Sequence, residues 1–334
     1  MKKILALAIA SAFAAPAFAA TSNVDIYGKL SLSVNVLDDQ QVGDSDLQIT
    51  NNSSRIGFKG AEDLGGGLSA IWQVESGLNM DEGSGTWASR NSFIGLKGGF
   101  GTVLAGKHDT PLKLVGRTVD MFGDGFADSR NVMGGGSDAR ANNVVVYLSP
   151  NFSGFNLAAA YSTDPFFGGN FPDADDASVY NLSATYANGP LYLGLAYGDG
   201  DGHEEVGLGS HLRAAAGFTF GNFKVVGQYD SLEDDTNGLG DYDAWMLGGS
   251  FTMGAMVFKA NYMTGEFDTF TAEPQQWTVG MDYNLSKRTT IYGLYVSGED
   301  IVLGSGAALN DQNMSVDGLG GDISGFSVGV AHTF

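Results

Sequence analysis

Three carboxylates cluster in the segment DGDGHEEV, at Asp199, Asp201 and Glu204. Clustered oxygen ligands suit a hard cation such as Ca²⁺, so these residues are candidates for a calcium site, the one cofactor that the sequence suggests. Their spacing departs from that of an EF-hand loop, and a run of acidic residues is commonly just a solvated loop. The sequence therefore leaves two interpretations, a loop-bound calcium ion or no metal at all.

Motifs for enzymatic chemistry are missing from the sequence. The four histidines are scattered, and GGGLSA, from Gly65 to Ala70, precedes a predicted strand instead of the helix whose N-terminus would bind a pyrophosphate. No nucleophile elbow, P-loop or zinc-protease motif occurs. The chain has no cysteine, which removes thiol catalysis and disulfides together. We predict that the protein is not an enzyme.

The N-terminal segment MKKILALAIASAFAAPAFA is typical of a secretory signal peptide, since two lysines precede an apolar run that ends in A-x-A. We predict cleavage after Ala19, so that residues 1–19 are the signal peptide and residues 20–334 form a single domain. Cleavage would remove two of the 17 basic and none of the 38 acidic residues, which takes the net charge from −21 to −23. So acidic a chain is not expected to bind nucleic acid.

Residues Val24 to Val36 read VDIYGKLSLSVNV, with apolar side chains at the even positions and mostly polar ones at the odd positions. This period of two predicts a β-strand. Segments of the same kind recur along the chain and give sixteen predicted strands, each about as long as the tilted strand that crosses a bilayer. Aromatic residues such as Tyr161 and Trp277 stand near the strand ends, as in membrane barrels.

The connections between the predicted strands alternate in length. Short turns such as ANGP and LSKR alternate with long acidic loops such as TDPFFGGNFPDADDA. An antiparallel transmembrane β-barrel with short periplasmic turns and long extracellular loops has this asymmetry, whereas sixteen strands in one soluble sheet would be exceptional. In such an all-β barrel, Val24, Ile26 and Val34 would face lipid, while Lys29 and Ser33 would face an aqueous lumen.

Five segments together resemble the general bacterial porins of the Gram-negative outer membrane: VDIYGKL, SRIGFKGAEDLGGGL, RNSFIGLKGGFGTVLAGK, YLSPNFSGF and GFSVGVAHTF. The resemblance covers nearly the whole mature chain. It implies a homotrimer of 16-stranded barrels among outer-membrane lipids, including lipopolysaccharide, with the third long loop, His108 to Arg140, folded into each pore. The final strand, ending in Phe334, implies insertion by the outer-membrane assembly machinery.

The same resemblance implies a constriction with acids on the third loop and bases on the facing wall. The matching acids are Asp120, Asp124 and Asp128, and the matching bases are Lys29, Arg55 and Arg90, with Arg130 or Arg140 as a fourth. Opposed charges create a transverse field across a narrow, water-filled gap. The alternative is that Lys29, Arg55 and Arg90 only snorkel or pair with wall carboxylates such as Glu75. The strand of the fourth base is unusual, because NNVVVYLSP is apolar at Val146 and Leu148, where alternation demands polar residues.

The predicted function is passive diffusion of ions and small hydrophilic solutes through an outer-membrane channel. The strongly acidic mature chain favours a mild cation preference, because charge focused at the mouth attracts counter-ions, although the wall bases oppose it. A substrate-specific channel would need a line of aromatic side chains along the lumen, and Tyr27 and Tyr192 are isolated there. A closed barrel that acts as an adhesin or receptor through its acidic loops is the other alternative.

Overall fold

The computed structural model describes residues 24–39, 45–133, 138–163, 178–201, 209–233, 240–269, 271–301 and 321–334. The predicted signal peptide, residues 1–19, lies outside these ranges, as does Glu204 of the candidate calcium site. Within these ranges, no helix is both long and apolar enough to cross a membrane.

The described chain forms strand segments and one α-helix, α1 (Pro111–Val119). The strand segments are β1 (Val24–Asp39), β2 (Ser45–Asn51), β3 (Arg55–Gly65), β4 (Leu68–Asn79), β5 (Ser84–Thr86), β6 (Ser92–Gly98), β7 (Gly101–Asp109), β8 (Arg140–Leu148), β9 (Phe155–Thr163), β10 (Ser178–Asn188), β11 (Leu191–Asp201), β12 (His211–Phe220), β13 (Phe223–Leu232), β14 (Tyr242–Met253), β15 (Met256–Phe267), β16 (Gln275–Asn284), β17 (Thr289–Ile301) and β18 (Gly321–Thr333).

These segments form one antiparallel sheet that closes on itself, because β1 pairs with β18. Two wall strands are each interrupted once. β2 and β3 both pair with β1, and the pairing passes from Leu32 opposite Asn51 to Lys29 opposite Arg55. β5 and β6 likewise share β4 as a partner. The described segments therefore make the closed barrel of sixteen antiparallel wall strands that the sequence predicts.

The segment before Arg55 contains a strand that the period of two does not reveal. Residues Leu37 to Asn52 are mostly polar, but β2 occupies part of this stretch and pairs with β1. Leu47 and Ile49 of β2 are 71% and 64% exposed on the outer surface. Two apolar residues are too few to make the period visible in the sequence. The pairing with β1 satisfies the backbone hydrogen-bonding groups that a polar connection would expose.

Outward and inward faces alternate along the wall. In β1, Ile26 and Val34 are exposed on the outside, whereas Ser33 and Asn35 are buried on the inside. An apolar outer face and a polar inner face reverse the arrangement of a soluble sheet and match a membrane barrel. Exposed aromatic side chains stand near strand ends, where membrane–water interfaces are expected: Tyr161, Tyr180, Phe220, Tyr229, Trp277 and Tyr283.

The lengths of the connections confirm the predicted asymmetry of the barrel. At one end, two residues join β10 to β11, and two join β12 to β13. At the other end, the chain runs from Thr163 to Ser178 between β9 and β10, and from Ile301 to Gly321 between β17 and β18.

The third loop, between β7 and β8, lies inside the barrel. The Thr110 side chain caps α1 by accepting a hydrogen bond from a backbone amide of the first turn. On the apolar face of α1, Leu112, Val115 and Val119 are almost completely buried, in one cluster with inward side chains such as Tyr192. Each such buried aliphatic side chain contributes roughly 1.5–3 kcal/mol, so this contact fixes the helix against the wall.

Strand β8 has an apolar inner face, and the expectation of polar residues there was wrong. Val144 and Val146 point inward and are buried, while Val145 is exposed on the outside. Alternation is therefore kept, but both faces are apolar. Val144 and Val146 belong to one buried cluster with Ile71 and Phe93 of the neighbouring wall, which explains why this part of the wall does not need polar side chains.

Candidate pore constriction

The tip of the third loop is organised around Arg117, in the last turn of α1. Arg117 Nη1 lies 2.9 Å from Asp128 Oδ2 and 3.7 Å from Asp120 Oδ2, and Nη2 is hydrogen bonded to Asp124. One base therefore gathers all three of the predicted aspartates. Arg117 is not among the residues predicted from the sequence, although its i, i+3 spacing to Asp120 in GRTVD is the spacing of a helical ion pair.

Asp124 joins the loop to the facing wall. Its Oδ2 atom lies 3.0 Å from Lys29 Nζ on β1 and 3.3 Å from Arg55 Nη1 at the start of β3. Asp124 has φ 68°, a left-handed conformation that aspartate tolerates better than most residues, and its backbone N–H donates to Asp128 Oδ2 at 2.8 Å. The structure therefore brings together three of the predicted residues, Lys29, Arg55 and Asp124.

The carboxylates of Asp120 and Asp128 are turned into the loop, where each side chain is 1% exposed. Asp120 Oδ1 accepts a hydrogen bond from the Phe122 backbone at 2.9 Å. Asp128 accepts two side-chain hydrogen bonds from Arg130, both at 2.9 Å. These two aspartates and Arg130 shape the loop, and Arg130 does not stand on the facing wall.

The loop aspartates differ in their proton affinity. Burial, together with the nearby Asp128, raises the pKa of Asp120 to about 6. Burial also acts to raise the pKa of Asp124, but Arg117, Lys29 and Arg55 outweigh it and hold that pKa well below its usual range. Asp128 is held below its usual pKa in the same way, by Arg130 and Arg117. Near pH 6, Asp120 is therefore the loop aspartate that changes its charge.

Arg90 and Arg140 pair along the wall and not with the loop aspartates. Arg90 Nε lies 2.6 Å from Glu75 Oε1, and Arg140 Nη2 lies 3.1 Å from Asp109 Oδ1. Wall pairing, the alternative interpretation for the bases, is thus found for Arg90. Lys29 and Arg55 instead face the loop.

The bases at the loop tip keep more contact with solvent than the acids. The side chains of Lys29, Arg55 and Arg117 are 19%, 25% and 26% exposed, against 12% for Asp124 and 1% for Asp120. Charge that reaches water acts most directly on an ion in a narrow passage. The accessible charge at the loop tip is therefore mainly positive.

A cavity of about 230 Å³ separates the loop tip from strands β15 to β18. At its edge, Lys259 Nζ lies 2.9 Å from Asp282 Oδ1 and donates to the Met121 carbonyl at 3.0 Å. The same ammonium lies 4.7 Å from the centre of the Phe122 ring, in the range of a cation–π contact. Lys259, which sequence reasoning missed, supports the tip from this side.

Asp199, Tyr27 and Tyr192 are engaged in other contacts. Asp199 Oδ2 accepts hydrogen bonds from Tyr180 at 2.9 Å and Tyr197 at 3.1 Å, and the part of the chain that the structure describes holds no group of three or more side chains suited to a metal. Tyr27 donates to Glu75 at 2.9 Å, and Tyr192 is buried beneath the third loop. The two tyrosines do not form an exposed line along the lumen.

Known proteins are similar to this chain in sequence over most of its length. The family model for Gram-negative porins matches residues 6–300 of this chain. Outer membrane porin protein 32 of Delftia acidovorans is 32% identical over 363 positions, which cover the whole of both chains.

Two solved structures have a similar fold. The anion-selective porin from Comamonas acidovorans superposes with a TM-score of 0.75 at 27% identity and covers 94% of this chain and 100% of its own. OmpT of Vibrio cholerae, in its trimer form, gives a TM-score of 0.69 at 20% identity and covers 94% of this chain and 100% of its own. At 20% identity, the similarity to OmpT shows the fold alone.

Proposed function

Because this chain belongs to the Gram-negative porin family, we propose that ions and small hydrophilic solutes diffuse passively through its lumen. The protein is an outer-membrane porin, a channel and not an enzyme. The observation that carries the proposal is the closed barrel with an apolar outer face, a polar inner face and a charged loop inside. Diffusion through such a channel requires no turnover and no cofactor.

The constriction in this proposal is lined by the charged cluster that forms where the loop tip contacts the wall of β1 and β3. Asp124 supplies its acidic charge, and Lys29, Arg55 and Arg117 supply its basic charge. Supporting positions are Asp120, Asp128 and Arg130 within the loop, and Arg90 and Arg140 along the wall. Opposed charges in so narrow a passage would orient dipolar solutes and separate the paths of cations and anions.

Charge at the constriction, in this proposal, sets the ion preference. The better exposure of Lys29, Arg55 and Arg117 favours anions, which is also the selectivity stated for the Comamonas porin. The mild cation preference predicted from the net charge rests instead on the acidic loops at the mouth. The reversal potential in a salt gradient distinguishes the two: a potential that shows anions carrying most of the current supports the constriction.

The proposed assembly is a homotrimer in the outer membrane. OmpT of Vibrio cholerae, an outer membrane protein of similar fold, has a solved structure in trimer form after folding in vitro. Outer-membrane lipids, including lipopolysaccharide, would contact the apolar outer face. The strand ending at Phe334 would be recognised by the outer-membrane assembly machinery after residues 1–19 are removed. Residues 20–334 would then be the mature single-domain barrel.

Planar-bilayer recording of the purified, folded protein tests the proposal. Large ohmic steps that appear in triplets would support an open trimeric pore. A current blocked by one particular sugar at low concentration would favour a substrate-specific channel. No steps from protein whose gel mobility shows a folded barrel would favour a closed barrel that works as an adhesin or receptor.

A further inference from the structure

One buried arginine is hydrogen bonded to both limbs of the third loop, the segment that enters the barrel and the segment that returns to the wall. Arg213 points inward from β12 and is completely buried. Its Nη1 atom donates to the carbonyl of Leu112 at 3.3 Å, in the limb that enters the barrel, and its Nη2 atom donates to the carbonyl of Met133 at 2.7 Å, in the limb that returns. Two carbonyls that are 21 residues apart in sequence are therefore held by one guanidinium.

The same guanidinium is fixed to the wall by the carboxylate of Asp230. Arg213 Nε lies 2.7 Å from Asp230 Oδ1, and Nη2 lies 2.6 Å from Asp230 Oδ2, which is a two-point contact with the neighbouring strand β13. Nη1 lies 2.5 Å from Asp138 of the returning limb. Gln228 donates to both oxygens of Asp230 at 3.2 Å. A planar fork bound at two points has one orientation, so the wall fixes the direction in which the loop bonds point.

Helix α1 has a glycine where it passes over this arginine. An ideal Cβ atom on Gly116 would lie 2.4 Å from Arg213 Nη1, closer than any side chain could approach. Glycine inside a helix destabilises it relative to alanine. Its presence at this position is therefore explained by the closeness of the guanidinium.

We propose that Arg213 is the positioning residue that holds the third loop against the wall. It thereby sets the width of the constriction and limits the fluctuations of that width. Its burial keeps it from any solute, so it acts through the loop. The inference rests on the proposed function as a diffusion pore, because loop position matters only if solutes pass beside the loop.

Replacement by lysine gives the sharpest test. Arg213→Lys keeps the positive charge beside Asp230 and Asp138, but a single ammonium cannot reproduce the two-point contact and reach both limbs. Arg288→Lys, in the exposed turn between β16 and β17, is the matched control. We expect folded barrels from both. For Arg213→Lys alone, we expect a several-fold rise in open-channel current noise, closure at lower voltage and faster entry of larger sugars into proteoliposomes.

A covalent tether provides an independent readout. An ideal Cβ on Gly194 would lie 2.9 Å from Val115 Cγ1, so the Cβ atoms of the two positions are within about 4.5 Å, which a disulfide can bridge. The chain has no cysteine of its own. In the Arg213→Lys background, oxidation of the pair Val115→Cys and Gly194→Cys should return noise and sugar entry to wild-type values.

The outcomes distinguish a failure of the proposed function from a failure of the role of Arg213. A wild-type protein that does not conduct would defeat the proposed function. A conducting wild type and a folded Arg213→Lys variant with the same noise, closing voltage and sugar entry would overturn the role of Arg213 alone, as would a tether that restores nothing. If Arg213→Lys does not fold, Gly116→Val, which pushes α1 away from the guanidinium, is judged by the same readouts.

Discussion

The Asp124 carboxylate lies 3.0 Å from the Lys29 ammonium, and this contact joins the tip of the third loop to strand β1 across the lumen. Arg55 and Arg117 bind the same carboxylate. Because both partners are largely shielded from water, the attraction within each pair is stronger than in an exposed ion pair, while the desolvation of the charges offsets part of that gain. The loop is thus supported at its tip by Asp124 as well as at its limbs by Arg213.

Substitution of Asp124 should change the ion preference of the channel. Asp124→Asn removes the charge that compensates Lys29, Arg55 and Arg117, so we expect the anion-to-cation permeability ratio to rise several-fold. Reversal potentials in a KCl gradient measure the ratio. Asp63→Asn, at the exposed end of β3, makes the same change of charge away from the loop and should leave the potential close to that of the wild type. An equal shift in both variants would argue against a constriction at Asp124.

Acidification should act on the loop through Asp120. Its pKa of about 6 is above the value near 4 of an aspartate in an unfolded chain. Between about pH 4 and pH 6, the folded state therefore binds a proton that the unfolded state has lost, so the contribution of Asp120 to folding stability falls as the pH rises through this window.

The same proton alters the charge of the pore. Lowering the pH through about 6 neutralises Asp120 and should shift the reversal potential toward anion preference. Asp124 and Asp128, whose pKa values are depressed, remain charged over this range. Asp120→Asn should abolish the step near pH 6. A step of unchanged size in that variant would assign the titration to another group.

Closure of the barrel should be sensitive to a methyl group at Gly28. The backbone of Gly28 exchanges two hydrogen bonds of 3.1 Å with Phe334, and an ideal Cβ on Gly28 would lie 2.6 Å from both the Phe334 ring and the Arg55 carbonyl. Overpacking of this kind costs about 1–3 kcal/mol. Gly28→Ala should lower the temperature at which the barrel unfolds in detergent. Gly99→Ala, where an added Cβ meets nothing within 4 Å, is the control, and equal melting of both variants would contradict the expectation.

The assignment of the lipid face can be tested at Val225 of β13. Val225 is 42% exposed on the outer surface, whereas Lys224 belongs to the opposite face of the same strand. A lysine on the lipid face costs about 2–4 kcal/mol near the bilayer centre, so Val225→Lys should reduce the folded fraction in lipid vesicles strongly, and Val225→Ala only slightly. Folding of Val225→Lys with wild-type yield would mean that this face does not meet lipid.

The sequence predicts the wall well and the loop only in part. Strands such as β10 and β13 show their period of two because one face meets lipid and the other meets polar groups. The period of two is not detectable in β2, which has few apolar residues. In β8 it predicts polar residues on the inner face, whereas Val144 and Val146 pack there in an apolar cluster. In both cases, the decisive contacts come from neighbouring strands that are distant in sequence.

For the constriction, the resemblance identified Lys29, Arg55 and Asp124, which the structure brings together. It also grouped Arg90 with them, although Arg90 pairs with Glu75 on the wall. Arg117 and Arg213 were missed. Arg117 carries a local signal in its spacing to Asp120, but Arg213 binds residues 75 to 101 positions away in sequence, and no local pattern reveals such a partner.

The amino-acid sequence by itself determines that the chain forms a wall of sixteen strands and which face of most of them is apolar, because these properties depend on side chains two residues apart. The partner of each charge was decided by the tertiary structure alone. Closure of the barrel and insertion of the third loop bring Arg213 beside Leu112 and Asp124 beside Lys29. Ion pairing in a shielded lumen depends on distances of a few ångströms, and folding sets those distances between segments that the chain keeps far apart.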